Sequence, residues 1–130
     1  LTLLLDTHCW LWMQTEPEKF GEEARGLIDD GANDLLFSAA SSWEIAIKYA
    51  LDKLPLPLPP REYVLSRMES SGVSPLPVEH RHALRVAELP HHHRDPFDRL
   101  LVAQAQLEGV PLLTADRQIE PYDVPILAAR

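Results

Sequence analysis

His91-His92-His93-Arg94-Asp95-Pro96-Phe97-Asp98-Arg99-Leu100-Leu101-Val102-Ala103-Gln104-Ala105 reads as a loop that turns into a buried helix. Asp95 suits the N-cap, where a carboxylate accepts from the free amides of the first turn. Pro96 suits the first helical position, where no N–H is needed. Asp98 then falls at the third helical position. Residues 99–109 hold six aliphatic side chains and only two charged ones, which predicts a helix covered on most sides. Leu101 and Val102 lie three and four residues beyond Asp98, so its carboxylate shares their core-facing side. Such a carboxylate is costly unless it is paired, capped or bound to a metal. Taken alone, Asp98 can also be an ordinary first-turn acid favoured by the helix dipole; the rest of the chain has to decide.

The whole chain is 130 residues, long enough for one domain with a proper core. Its net charge of −8, from 12 basic and 20 acidic side chains, argues against a surface that grips phosphate by itself. It leaves room for a nucleic-acid enzyme whose acidic pocket holds divalent cations, because the metal then supplies the positive charge. The single cysteine, Cys9, excludes an internal disulfide. Residues 1–5 are too short, and lack the basic flank, for a secretory leader. The expectation is a cytoplasmic protein in a reducing compartment. No apolar run approaches the roughly 18 residues of a membrane span.

Residues 1–5 form an aliphatic run that ends in Asp6, the pattern of a buried parallel strand. Residues 7–13 follow as a short helix. Phe20, Ala24, Leu27 and Ile28 have helical spacing, with Gly31 as the stop. Residues 34–38 read as a second strand. Ser41-Ser42-Trp43-Glu44 has the capping-box pattern and opens a helix to about Leu51, with Lys48 placed to pair with Glu44. The proline-rich residues 54–60 form an extended connector, either a stiff linker or a docking surface. Residues 61–70 read as an amphipathic helix and 73–76 as a strand. Residues 78–89 read as a helix with Ala83, Leu84 and Ala87 inward. Residues 110–114 form a strand with 115–117 as its exit turn, and 124–127 a last edge strand. Strands alternating with helices predict an α/β fold with a mainly parallel sheet and right-handed crossovers.

Four acids stand out by position. Asp6 ends the first strand, Glu44 lies early in the helix after the second, Asp98 opens the central helix, and Asp116 leaves the strand at 110–114. In a parallel sheet the strand C-termini share one edge, with the following helix N-termini beside them. Each acid has a bland reading as a cap or a turn residue. Together at one edge they point to a cation site, because four adjacent carboxylates repel and a divalent cation relieves them. Hard oxygen donors suit Mg²⁺ or Mn²⁺. Such ions support in-line hydrolysis of a phosphodiester.

Leu3-Leu4-Leu5-Asp6-Thr7-His8, Ser41-Ser42-Trp43-Glu44-Ile45, the stretch from Arg94 to Ala105, and Leu112-Leu113-Thr114-Ala115-Asp116 together resemble the PIN-domain family, in particular the VapC-type toxins of bacterial and archaeal toxin–antitoxin pairs. The resemblance runs the length of the chain and implies a single PIN domain over residues 1–130. It implies a three-layer α/β/α sandwich and an endoribonuclease dependent on Mg²⁺ or Mn²⁺. Asp6, Glu44, Asp98 and Asp116 match the family's acidic quartet. By that match Asp6 and Asp98 would bind metal directly, and Glu44 and Asp116 would act through waters or on a second ion. Asp95 fits better as the helix cap than as a ligand. Thr114 matches a small-hydroxyl position near the site, against a plain reading as a strand-end threonine. The resemblance further implies RNA as substrate, a homodimer, and a cognate antitoxin that places a basic side chain in the acidic pocket.

Several other residues admit both a functional and a plainer role. His91, His92 and His93 lack the partners of a tetrahedral zinc site and read as a polar loop, with RNA contact as the alternative. Arg94, Arg99, Arg117 and Lys48 are either phosphate contacts or ion-pair partners of neighbouring acids. Trp10, Trp12 and Trp43 read as core or dimer contacts, and Cys9 as a small core residue. Two rival functions remain at this point. One is a phosphatase or phosphotransferase with Asp6 as nucleophile, although Asp6-Thr7-His8 lacks the second Asp that this chemistry often uses. The other is a non-catalytic acidic module that receives a basic peptide.

Overall fold

Leu3, Leu4 and Leu5 are each fully buried, and this central run explains the layering. A computed structural model describes residues 1–130. The elements in order are β1 (Thr2–Leu5), α1 (Thr7–Thr15), α2 (Glu22–Asp29), β2 (Asp34–Ser38), α3 (Ala39–Ala50), α4 (Pro60–Ser71), β3 (Ser74–Leu76), α5 (His80–Arg85), α6 (Pro96–Glu108), β4 (Leu112–Thr114) and β5 (Ile126–Ala128). The five strands form one sheet in the order β3-β2-β1-β4-β5, and every pairing is parallel. The sheet is thus wholly parallel where the sequence predicted mainly parallel.

Successive strand residues face opposite sides. Leu3 and Leu5 therefore join a core with Trp10 of α1, Ala24 of α2, Ile45 of α3 and Tyr63 of α4. Leu4 faces the other way, onto Leu101 and Val102 of α6, Leu112 and Ile119. Both faces are covered, which is why β1 is an unbroken aliphatic run rather than an alternating one. The result is the expected three-layer α/β/α sandwich. The chain builds outward from β1 to β2 and β3, then returns to the other side of β1 for β4 and β5. The order reverses between β1 and β4, and a crevice opens outside the carboxyl ends of strands at such a switch point. No helix is long and apolar enough to cross a membrane.

The helix after β2 starts earlier than expected. Its cap is Ser38, whose Oγ accepts from Ala40 N–H at 3.0 Å. Ser38 is the last strand residue, and Ala39 and Ala40 propagate helix readily, so no linker separates strand from helix. Ser41 is instead inside α3, where its Oγ accepts from the Thr7 hydroxyl at 2.8 Å. Helix α5 is shorter than the predicted 78–89. The Glu79 N–H donates to His82 Nδ1 at 3.0 Å, which turns His82 inward. Ala83, Leu84 and Ala87 are exposed, and Val86–Glu88 continues as a 3₁₀ turn. Leu54 and Leu56 of the proline-rich connector pack on the core beside α4.

Candidate active site

Asp6 and Thr114 meet because β1 and β4 pair in register, Leu5 beside Leu113. Asp6 caps α1. Its Oδ1 accepts from Thr7 N–H at 2.7 Å and its Oδ2 from the Thr114 hydroxyl at 2.6 Å. Thr114 Oγ in turn accepts from Asp116 N–H at 3.0 Å. Thr114 therefore joins two of the acids, and the plain strand-end reading of it is too small. Asp116 caps the turn Arg117–Ile119 through Oδ1, which accepts from Gln118 N–H at 2.9 Å. Its Oδ2 lies 2.7 Å from His93 Nε2.

Glu44 projects from α3. Its Oε2 pairs with Lys48 Nζ at 2.5 Å, while Oε1 is buried without any hydrogen-bond partner. Asp98 sits at the start of α6 below its cap. Asp95 Oδ1 accepts from Phe97 N–H at 2.8 Å and from Asp98 N–H at 3.4 Å, so Asp95 is the cap that the sequence predicts. Asp98 Oδ2 is 3.2 Å from His93 Nε2. All four acids line one cavity of about 270 Å³, together with His8, Lys48, Lys53 and Asp95.

The charge state follows from this crowding. Burial, then Asp6, Asp95, Glu44 and Asp116, push the Asp98 carboxyl up to about 8. Burial also raises Asp6, against the opposing pull of His8, Thr114 and Thr7. Partial burial alone would raise Asp116, but the hydrogen bonds from His93 and Gln118 outweigh it and hold this carboxyl below its ordinary value. Partial burial likewise works against the Lys48 charge, and the pairing with Glu44 overcomes it and raises the ammonium above its usual value. The cavity is short of positive charge and has one buried carboxylate oxygen with nothing to accept from. Its donors are hard oxygens. Both facts fit a divalent cation of the Mg²⁺ or Mn²⁺ kind.

Several residues lie elsewhere than expected. Arg99 is 8% exposed and points away from the acids. It donates to the carbonyls of Pro90 and Val86, each at 2.9 Å. Arg94 and Arg117 are exposed. Trp10 is buried, whereas Trp43 is 58% exposed and meets Phe97 edge-on at 5.1 Å. His91 and His92 remain in an exposed loop, but His93 belongs to the site. One donor atom each from His93, Asp98 and Asp116 lies within 4.8 Å of the others. His8 was likewise missed, with Nδ1 at 3.5 Å from Asp6 Oδ2. One signal for His93 was available: a side chain two residues before an N-cap can reach the cap's own amide.

The PIN-domain family model matches residues 3–125. Ribonuclease VapC16 of Mycobacterium tuberculosis is 53% identical over 60 residues, which are 46% of this chain and 43% of that protein. Ribonuclease VapC22 of the same organism is 29% identical over 127 residues, covering 95% of this chain and 94% of that protein. Among solved structures, VapBC2 from Rickettsia felis, bound to a DNA fragment from their promoter, superposes with a TM-score of 0.69 at 14% identity over 98% of both chains. At that identity the likeness is one of fold.

Proposed function

The chain belongs to the PIN-domain family, and from that premise we propose that it is a VapC-type endoribonuclease, the toxin of a toxin–antitoxin pair. The observation that carries this reading is the shared cavity: four carboxylates from separate parts of the chain converge on it, and the buried Glu44 Oε1 has no partner. Residues 1–130 act as a single PIN domain working in the cytoplasm.

Asp6 and Asp98 would hold the metal, with Glu44 and Asp116 supporting it through water or a second ion. A bound Mg²⁺ or Mn²⁺ supplies acidification of water and neutralisation of charge developing on the phosphoryl oxygens. The chain's own residues do the positioning. Thr114 and Thr7 N–H fix both oxygens of Asp6. Lys48 holds Glu44 at Oε2, and Oε1 is buried without a partner. Lys53 lines the same cavity, and Arg94 is exposed on the loop beside it, so both are placed to meet the phosphate backbone of RNA. A cognate antitoxin fits the same cavity by offering an Arg or Lys in the cation's place, and the working unit is a homodimer.

Asp6 is a poor nucleophile, because both its oxygens already accept hydrogen bonds and it is 1% exposed. The phosphatase reading is set aside on that ground. The deciding experiment is cleavage of a labelled RNA pool by antitoxin-free protein in Mg²⁺, Mn²⁺ or EDTA, beside Asp98→Asn. Cleavage that needs metal and disappears in the variant is the expected result. Intact RNA in all conditions, with metal shown to be bound, favours the non-catalytic binding module.

A further inference from the structure

His8 lines the acidic cavity, His93 contacts two of its acids, Asp116 and Asp98, from the side, and a backbone amide sets the tautomer of each ring. His93 Nδ1 accepts from Asp95 N–H at 3.0 Å. A ring nitrogen that accepts presents its lone pair, so the single proton of the neutral ring sits on Nε2. That N–H points at Asp116 Oδ2, at 2.7 Å, with Asp98 Oδ2 at 3.2 Å. His8 repeats the arrangement with the nitrogens exchanged. Its Nε2 accepts from Ala115 N–H at 3.2 Å, which places the proton on Nδ1, 3.5 Å from Asp6 Oδ2.

This is the reverse of a metal-ligating histidine. A ligating ring turns its lone pair to the ion and donates its other N–H to a carboxylate, carbonyl or water behind it. Here the group behind each ring is itself an N–H donor. Neither ring can present a lone pair to the cavity while keeping the hydrogen bond that orients it. The close spacing of His93, Asp98 and Asp116 invites a mixed nitrogen–oxygen metal centre, and the Asp95 amide argues against it.

The loop that carries His93 is tied down on its other side. The Tyr122 hydroxyl accepts from the amides of His92, at 3.1 Å, and His93, at 2.9 Å. Arg99 Nη1 donates to the same hydroxyl at 3.1 Å and to Pro90 O at 2.9 Å. Asp116 is then gripped at both oxygens, by Gln118 N–H and by His93.

We propose that His93, with His8 in a lesser role, is a positioning residue: a neutral N–H donor that fixes the acids from the side, so that the cation in this cavity is bound through oxygen alone. The inference rests on the nuclease reading above and adds a prediction about selectivity. His8 and His93, the two of the six histidines that contact these acids, keep their ring nitrogens out of the coordination sphere, which favours hard cations over zinc or nickel.

The test uses the full chain, wild type beside His93→Ala and His93→Gln. Nitrogen-15 shifts of the metal-free wild type should show His93 with a bare Nδ1 and a protonated Nε2. Pulsed EPR of Mn²⁺-loaded wild type should show no directly bonded ring nitrogen. Mn²⁺ affinity should fall about 10- to 100-fold in His93→Ala, in line with the loss of an outer hydrogen-bond partner of a ligand, and recover largely in His93→Gln, which restores an N–H donor. A ring nitrogen coupled to Mn²⁺, or the opposite tautomer, overturns the proposal even if cleavage is intact. Equal affinity in wild type and His93→Ala overturns it too, as does a His93→Gln variant no better than His93→Ala. If His93→Ala does not fold, the wild-type spectra and His93→Gln decide. A wild-type protein that takes up no Mn²⁺ defeats the nuclease reading itself, and this inference with it.

Discussion

Burial raises the carboxyls of Asp6 and Asp98 alike, and the consequence for pH is clearest at Asp98. Burial, followed by Asp6, Asp95, Glu44 and Asp116, lifts its folded pKa to about 8 from an ordinary 3.8. Between those limits the folded, metal-free chain keeps a proton that the unfolded chain has released. The stability that this proton contributes is complete below the unfolded value and is lost as pH rises through about 8. Thermal melts in EDTA should therefore show Tm falling toward alkaline pH. Asp98→Asn, which mimics the protonated acid, should flatten part of that fall and sit higher at about pH 8.5, by roughly 4–7 °C if about 1–2 kcal/mol is recovered. Metal affinity runs the other way, because the ion has to displace the proton. Titration calorimetry should find Mg²⁺ affinity rising up to about tenfold per pH unit until about pH 8, and a pH-independent affinity would contradict the shift. Asp6, Asp98 and Asp116 were legible as acids at strand exits and a helix start, whereas Glu44 lies in the second turn of α3 rather than in its opening turn, because that helix begins at Ala39. The tautomer of His93 was not legible, because it depends on which amide a loop brings to the ring.

At the scale of elements, α6 and the loop before it form one device, and Arg99 and Tyr122 hold it together. Tyr122→Phe leaves the amides of His92 and His93 and one Arg99 N–H without their acceptor. The expected cost is about 1–3 kcal/mol, with faster hydrogen exchange at the His92 and His93 amides and weaker metal binding through His93. Exchange unchanged at those two amides would mean that the hydroxyl does not restrain the loop. Asp95→Ala removes the α6 cap and should cost about 0.5–2 kcal/mol in chemical denaturation. The burial of Arg99 was partly legible: consecutive helical residues point about 100° apart, so Arg99 cannot share the Asp98 face. Its partners were not legible, since they are carbonyls of a loop with no periodicity to read. The early start of α3 had the same kind of cause. Ser38 and Ser41 are both competent caps, and strand length, which the sequence states poorly, chose between them.

For the whole molecule, the placement of β1 at the centre is what joins Asp6 to Asp116 across the length of the chain. Continuous aliphatic runs identified the central strands, and the parallel sheet followed from the alternation of strands and helices. Strand order was not written in any local pattern, because it depends on which side of β1 the chain takes when it returns. That return makes the acidic cavity a feature of the folded state alone, assembled from the end of β1, the side of α3, the start of α6 and the exit of β4. An ion bound there has no counterpart in the unfolded chain and stabilises the fold by mass action. At a free concentration of about 100 times its dissociation constant the gain is about 2.7 kcal/mol, or roughly 10 °C in Tm for a chain of this size. Mg²⁺ or Mn²⁺ should raise Tm by that order and EDTA should reverse it. Asp98→Asn should respond far less to the same ions. Hydrogen exchange should slow together at residues 6–9 and 114–116, which are adjacent only in the folded sheet. A Tm identical in saturating Mn²⁺ and EDTA would mean that the convergence of carboxylates holds no metal, and the four acids would then need their charge balanced by a basic partner.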